Sequence, residues 1–568
     1  MFELLVLVPT ALLFFFALTI LLAHPLASHL VRVYATPAVG PWPALHRLEA
    51  ALYRLAGVDP AQEMTWRTYA GAVVVFHVLG IAGLFLIQQL QGSLPLNPEQ
   101  LPAVAPGLAL NTAISFVTNT NWQSYSGEQT LSTLTQMVGL TVQNFLSAAL
   151  GLAVLAALVR GLVRRESQTL GNFWVDLTRG ILYVLLPLSL LLAPLLVQQG
   201  VPQAFTGSVR AGGDTTVQLG PIASQVAIKQ LGTNGGGYFN ANAAHPLENT
   251  SPLSNGLQML AMILLPVASC LAFGQQVGNR RQGWAILAAM LLLLLPAIGL
   301  SWAAEARPPR LGHLATADCA AALAAGPQWE GKEARLGPRE GAIWAALTTG
   351  TATGSVNAMH DSFTPLGGLV PLVLMQLGEV ALGGAGSGLY GMLIFLICAV
   401  FLAGLMVGRT PEYLGKKINP FEMQMSVLAI VLPSAALLLG TVLACTLPAG
   451  LAGRANPGAH GFTEILYAFT SAASNNGSAF AGLTATHPLY TWGLGLTMLV
   501  GRLGVMLPVL AIAGSLAQQR PVPVGPGTLA TDTPQFVLLL VSVVIVLGAL
   551  TFVPTWALGP IADHLVLP

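Results

Sequence analysis

The chain has 568 residues, of which 54% are hydrophobic and only 8% charged, and its formal net charge is +1. Soluble domains carry roughly 25% charged residues, so lipid is the expected solvent for most of this surface. The even charge balance and the absence of any basic run exclude a nucleic-acid partner, while Cys270, Cys319, Cys398 and Cys445 share no metal-like spacing and imply no disulfide framework.

The opening stretch, "MFELLVLVPTALLFFFALTILLAH", lacks a positive leader and has too long an apolar run for a secretory signal, so it reads as a retained first span. A transmembrane helix needs roughly 20 mostly apolar residues. Ten segments qualify: 3–24, 69–90, 131–159, 175–197, 255–275, 284–304, 369–407, 421–446, 488–516 and 534–557. The long run 369–407 contains "GGAGSGLYG" and is expected to bend or break there. Lys and Arg gather on one side: Arg32, Arg47, Arg54, Arg67, Arg160, Arg164, Arg165, Arg179, Arg280, Arg281, Arg409, Lys416, Lys417 and Arg520. Residues 91–130 hold none, and several of the remaining cations share the loop 305–340. The positive-inside rule then puts both termini outside.

Four outer segments join a moderately apolar stretch to a run of small polar residues. They are "NTAISFVTNTNWQSYSGE" from Asn111, "QVAIKQLGTNGGGYFNANAAHP" from Gln225, "GAIWAALTTGTATGSVNAMHDS" from Gly341 and "TEILYAFTSAASNNGSAFAG" from Thr463. Comparable points, Asn121, Asn234, Thr353 and Asn476, recur at intervals of a little over a hundred residues, each between two spans. The unit is span, short re-entrant helix, polar loop, span. Irregular backbone at membrane depth is tolerated only in protein or beside a watery cavity, so four such units around an axis predict a pore. An ion filter replaces the hydration shell with carbonyl oxygens, and glycine supplies the backbone conformations this requires. "TNGGG", "ATG" and "NNG" end in Gly; the first loop, "TNTNWQ", does not. A nucleotide loop is excluded, because "GGGYFNAN" follows no strand and precedes no Lys-Ser/Thr, and "GGAGSGLYG" interrupts an apolar span.

Together with "GSVNAMHDSFTPLGG", "LGEVALGGAGSGLYGM", "GRTPEYLGKKI" and "SNNGSAFAGL", these loops resemble the KdpA family along essentially the whole chain. The resemblance implies an all-α membrane protein of ten transmembrane helices, with four membrane–pore–membrane repeats around a K+ pore. The corresponding division is an N-terminal extra span 1–68, repeats 69–165, 166–281, 282–417 and 418–520, and a C-terminal extra span 521–568. It further implies the potassium-binding subunit of a high-affinity uptake pump of the bacterial inner membrane, working with KdpB, a P-type ATPase, and with KdpC and KdpF. Potassium would be the transported ion, with no covalently bound cofactor, and lipid the surrounding partner. Matched by position, the filter comprises Thr118, Asn119, Asn121 and Gln123; Thr233, Asn234 and Gly235; Ala352, Thr353 and Gly354; and Asn475, Asn476 and Gly477. The family's broken span places an intramembrane loop beneath the filter, at Gly383, Gly384 and Gly386, near a sideways passage toward the ATPase.

Two charges fall inside predicted spans, Glu379 beside that break and Arg502 in the last repeat. Intramembrane charge is rare and usually functional; the expectation is that both line a vestibule below the filter, the alternative being a packing ion pair. His245 and His360 follow filter loops and are expected to make loop hydrogen bonds rather than bind metal. Glu128, Glu248 and Asp361 are expected to add negative potential at the pore mouth. The basic stretch 407–420 is expected to begin a surface helix at Pro411 and to offer a docking face to the ATPase. The chain has no phosphate loop and no "DKTG", so it is not an enzyme by itself. An autonomous K+ channel or ion-coupled symporter of the same superfamily is the alternative. An inverted-repeat transporter is disfavoured, since that plan needs paired broken helices in two inverted halves.

Overall fold

The computed structural model describes residues 8–35, 43–205, 207–210, 216–306, 327–406, 408, 410–523 and 528–566. The start of the expected first span, Arg409, and most of the 305–340 loop with Cys319 lie outside the described residues. Among the described residues, ten helices are long and apolar enough to cross a bilayer, the number expected.

Helix α1 (Val8–Tyr34) runs through Pro25, ten residues beyond the expected end, and leads to a short amphipathic helix, α2 (Pro43–Ala56). Four units of one plan follow. In the first, α3 (Trp66–Leu90) leads to a short helix α4 (Pro106–Val117), a loop, and a returning span α5 (Thr135–Val163). The second has α6 (Phe173–Gln198), α7 (Ile222–Leu231) and α8 (Pro252–Gln276). The third has α9 (Arg280–Glu305) and α10 (Gly337–Gly350), and its returning segment is split into α11 (Pro365–Gln376) and α12 (Ser387–Met406). The fourth has α13 (Pro420–Thr446), α14 (Gly458–Ser474) and α15 (Pro488–Gln518), and α16 (Pro534–Val566) closes the chain. The expected break in 369–407 is thus real. Positive φ at Gly378, Glu379, Leu382, Gly383 and Gly386 ends the helical path between α11 and α12, because L-residues leave a helix there.

The returning spans form an inner ring. Their apolar windows are 83%, 78%, 67% and 61% buried for α5, α8, α12 and α15, whereas the other six range from 22% to 50%. Lipid tails are as apolar as Leu, so such helices associate through close packing of small residues. At Gly161 of α5 a Cβ would collide with the backbone of Ala513 on α15, and at Gly283 of α9 with Cys270 O of α8. The α5–α15 contact also joins the first unit to the last and closes the ring.

The face rich in Arg and Lys is tied by buried polar pairs. Arg160 at the end of α5 binds Asp176 of α6 through two nitrogens, at 2.5 and 2.7 Å, and donates to Tyr34 O (3.1 Å) and Leu170 O (3.1 Å). Tyr69 Oη adds a 3.0 Å bond to Asp176. Arg179 reaches Glu49 at 2.8 Å and so holds α2 to the bundle. The 407–420 stretch differs from expectation. Glu412–Tyr413 and Lys416–Lys417 form a hairpin rather than a surface helix, and the helix starts only at Pro420. The hairpin is fastened by Lys416, whose buried Nζ donates to Arg164 O (2.6 Å), Leu516 O (3.0 Å) and Gln519 O (2.9 Å) at the ends of α5 and α15.

At the opposite face His460, at the start of α14, pins α16 to the loop between α10 and α11. Its two ring nitrogens lie 3.1 Å from Asp361 Oδ1 and 2.9 Å from Asp563 Oδ2. Bonds to Asp361 and Asp563 raise the imidazole pKa, against burial, to about 10.

Two outcomes follow from these pairs. Arg160→Met strands a buried carboxylate and is expected to cost about 3–5 kcal/mol; Arg160→Met with Asp176→Leu should recover most of it, as read by thermal unfolding in detergent. A histidine pKa raised on folding adds stability that is complete below the unfolded value of about 6.5. That increment is lost as pH rises through about 10, so His460→Gln should flatten the decline in unfolding temperature over this range.

Candidate ion-conducting site

Each short helix ends where a polar loop begins, and the four loops share one backbone rhythm. Positive φ occurs at Asn119 (65°) and Asn121 (55°), Thr233 (48°) and Gly235 (70°), Ala352 (51°) and Gly354 (80°), and Asn475 (57°) and Gly477 (98°). In an extended strand successive peptides point to opposite sides; a left-handed residue at every second position turns them the same way. The first three loops are hung from their helices in the same way, and the fourth nearly so. Ser115 O accepts from the N–H groups of Thr120 (2.9 Å) and Asn121 (3.2 Å), Lys229 O from Asn234 (2.9 Å) and Gly235 (3.4 Å), and Thr348 O from Thr353 (2.9 Å) and Gly354 (3.4 Å). In the fourth loop Ser471 O accepts from Asn476 N (2.9 Å) and Ser471 Oγ from Gly477 N (2.9 Å).

This rhythm shifts the first loop by one place. Thr120, rather than Asn121, is the counterpart of Asn234, Thr353 and Asn476, and Asn121 is the counterpart of the three glycines. A loop without glycine carries no mark of its register in the sequence, and Thr120 was missed for that reason. Thr118 precedes the rhythm and shares its hydroxyl with Thr120 (2.8 Å), as Thr351 does with Thr353 (2.7 Å).

The loops close into a ring. A Cβ on Gly235 would overlap Thr353 O, one on Gly354 would overlap Asn476 O, and one on Gly477 would overlap Thr120 O. These glycines therefore let each strand seat the next one's middle carbonyl. Between the first and second strands amide side chains do this work. Asn119 Nδ2 donates to Thr233 O (2.8 Å), Asn121 Nδ2 to Gly235 O (3.2 Å) and Gln123 Nε2 to Gly237 O (3.1 Å). Asn144 and Ser147 of α5 back this seam: Asn121 Nδ2 donates to Asn144 Oδ1 (2.7 Å), and Asn234 Nδ2 to Asn119 Oδ1 (2.5 Å) and Ser147 Oγ (3.1 Å). Gln123 also accepts from Gly237 N (2.8 Å), which makes it a bracket between strands at the outer end.

The broken span lies directly below. Gly383 N donates to Gly350 O (2.7 Å) at the end of α10, and Ala385 N to Thr233 Oγ1 (2.9 Å). Glu379, at φ 52°, accepts from Asn476 Nδ2 at 2.7 Å, so the loop touches the second and fourth strands. Gly384 packs against Thr233 and Ala352, whereas Gly383 and Gly386 lie against Gly388 and Gly151. A cavity beneath the strands is lined by Asn119, Ala352 and Asn475 above and by Glu379 and Arg502 at its side. It extends outward past Ile394 of α12 to Pro433 and Leu437 of α13 and Phe552 of α16. Glu379 and Arg502 do not form an ion pair; Arg502 instead donates to Ser147 O (3.0 Å), behind the first strand.

Above the strands the mouth is lined by Asn121, Gln123, Asn240, Gly477, Ser478 and Thr484, among other uncharged groups. Two of the three carboxylates expected there are held by partners elsewhere. Glu248 is fully buried against Lys229, Asp361 is bound to His460 and Gly482 N, and Glu128 accepts from Asn240 N at 3.0 Å. Negative charge as deep as that of Glu248 and Asp361 is retained only with a partner, and Lys229 and His460 offset it. Glu128, by contrast, is half-buried and, among the described residues, bonds only a backbone amide of the mouth. His245 stacks on Phe239 at 3.7 Å and accepts from Leu247 N at 3.1 Å within its loop, whereas His360 bonds Tyr467 Oη of α14 at 2.8 Å.

Chemically, the ring offers carbonyl oxygens where a desolvated monovalent cation could sit. Four helix C-termini converge on it, each adding partial negative charge.

Comparison with known proteins identifies the family. The sequence profile of the family described as potassium-transporting ATPase A subunit matches residues 13–565. Curated relatives named potassium-transporting ATPase potassium-binding subunit include one from Anaeromyxobacter dehalogenans, 58% identical over 97% of both chains. Another, from Sorangium cellulosum, is 57% identical over 97% of both, and one from Herpetosiphon aurantiacus is 56% identical over 96% of both. With a match over nearly its entire length, this chain belongs to the KdpA family of potassium-transporting ATPase A subunits.

Proposed function

We propose that this chain is the potassium-binding and translocating subunit of an ATP-driven K+ uptake complex of the bacterial inner membrane. The single observation that carries the reading is the paired left-handed rhythm repeated in four loops that seat one another's carbonyls. Both termini lie outside, the four pore repeats span 69–165, 166–281, 282–417 and 418–520, and extra spans occupy 1–68 and 521–568. K+ enters from the outer mouth and is held by Asn119, Thr120 and Asn121 with Thr233–Gly235, Ala352–Gly354 and Asn475–Gly477. Thr118 braces the first strand and Gln123 its outer end. The ion then reaches the cavity at Glu379 and Arg502. The loop at Gly383, Gly384 and Gly386 blocks the straight path across the membrane, and the cavity's lateral arm between α12, α13 and α16 leads toward a KdpB-type ATPase that hydrolyses ATP. KdpC- and KdpF-type subunits complete the assembly.

In the purified complex, ATP hydrolysis is expected to rise with micromolar K+. Gly354→Ala adds a Cβ at positive φ against Asn476 O, and should raise the half-maximal K+ concentration about tenfold or more, a loss of about 1.4 kcal/mol or more. Gly83→Ala, on a helix with no atom near its Cβ, should not. A chain that conducts K+ without any ATPase would instead be an autonomous channel.

Glu379→Gln keeps the acceptor for Asn476 and removes the charge; Arg502→Met removes the facing cation. Both are expected to uncouple K+ from ATP hydrolysis, seen as activity that no longer depends on K+. Normal affinity and normal coupling in both variants would remove these residues from the pathway.

A further inference from the structure

The residue whose carbonyl anchors each strand is Ser115, Lys229, Thr348 or Ser471. Three are small hydroxyl residues whose side chains, among the described residues, make no bond outside their own unit. The fourth is a lysine with a side chain 1% exposed, paired with Glu248, which is fully buried. An ammonium in this position is conspicuous, because it sits behind a strand read as a cation filter.

Its contacts reach both neighbouring strands. Lys229 Nζ donates to Glu248 Oε2 and to Asn242 Oδ1 (2.9 Å). Glu248 Oε1 accepts from Phe239 N (2.9 Å), which fixes the chain just after Gly237. Asn242 Oδ1 also accepts from Ser355 Oγ (3.3 Å), and Ser355 follows Gly354 in the third strand. Ser355 Oγ in turn accepts from Gln230 Nε2 (2.9 Å) beside Lys229. One side chain thus grips the outer half of the second strand and, through Asn242, the third, while its own backbone carbonyl holds the inner half.

We propose that the Lys229–Glu248 pair is a positioning device for the outer ends of the second and third strands, and that it sets the apparent K+ affinity and the discrimination against Na+. The inference rests on the filter reading given above. Removing one member strands a buried charge, which draws in water or displaces the groups around it. The carbonyls of Gly235 and Gly354 move with those groups. A carbonyl cage distinguishes ions through the number and placement of its oxygens, so the effect falls on affinity and selectivity.

The test measures ATP hydrolysis by the full purified complex against K+ and Na+ for Lys229→Met, Glu248→Gln and Lys229→Arg, with Gly354→Ala alongside. Lys229→Met is expected to raise the half-maximal K+ concentration about tenfold or more and to lower the K+/Na+ ratio, with the maximal rate retained at high K+. Glu248→Gln, which keeps an acceptor for Phe239 N, should shift both in the same direction by less, and Lys229→Arg should restore part of the loss. A role in folding alone would lower yield and maximal rate and leave affinity and ratio unchanged. If Lys229→Met does not assemble, Glu248→Gln decides the matter. Wild-type affinity and ratio in the assembled variants, with Gly354→Ala shifted, would overturn this inference alone; no shift in Gly354→Ala either would overturn the filter reading with it.

Discussion

Everything in this molecule is arranged around a contact too close for a side chain. The middle carbonyl oxygen of one loop rests where the preceding loop's Cβ would be, at Gly235, Gly354 and Gly477. Positive φ at these positions and two residues earlier keeps the strands in that contact. Backbone held this way makes no ladder bonds of its own, so its N–H groups need other acceptors, and the exposed carbonyls at the helix ends supply them. Orphan carbonyls at a helix C-terminus and orphan amides in these strands solve each other's problem. The inner helices must then approach closely enough to surround four short helices, which explains glycine at Gly151 and Gly161, where Ala385 and Ala513 press in.

The ring is fourfold in backbone and lower in side chains. Its middle positions alternate Thr120, Asn234, Thr353 and Asn476. The threonines pair with hydroxyls of their own strand, whereas the asparagines reach outward, Asn234 to α5 and Asn476 to Glu379. The seam between the first and second strands departs further, since Asn121 replaces glycine and a row of amides replaces direct carbonyl seating. The amide seam and Lys229 link the first three strands, while the loop carrying Glu379 hydrogen-bonds to the second and fourth.

Ten spans, the four-unit plan and the interruption of the 369–407 run were legible in the sequence, because hydrophobic length and glycine clustering report directly on lipid exposure and backbone freedom. The break starts earlier than the glycine cluster, with the helix ending at Gln376 and Glu379 already inside it. The register of the first loop was not. Without glycine its two asparagines look interchangeable, and only the anchoring of Thr120 and Asn121 on Ser115 O separates them. The pairing of Glu248 was hidden for a related reason. Glu248 lies in a polar run that reads as exposed, and its partner Lys229 precedes it across the whole loop, a pairing that only the folded chain reveals. The hairpin at 412–417 was obscured by Pro411, which suits a helix start as well as a turn; Lys416 decides between them by finding carbonyls on two other units.

Joining the four units in one polypeptide changes what substitution can do. In an assembly of four identical subunits, a lysine behind one strand would appear behind all of them, and four ammonium groups around the axis would repel the cation they surround. Here a single gene position alters a single quadrant. Lys229 can stand opposite Ser471, and Asn121 opposite Gly354, so each quarter of the ring is free to acquire its own task while the other three preserve the path.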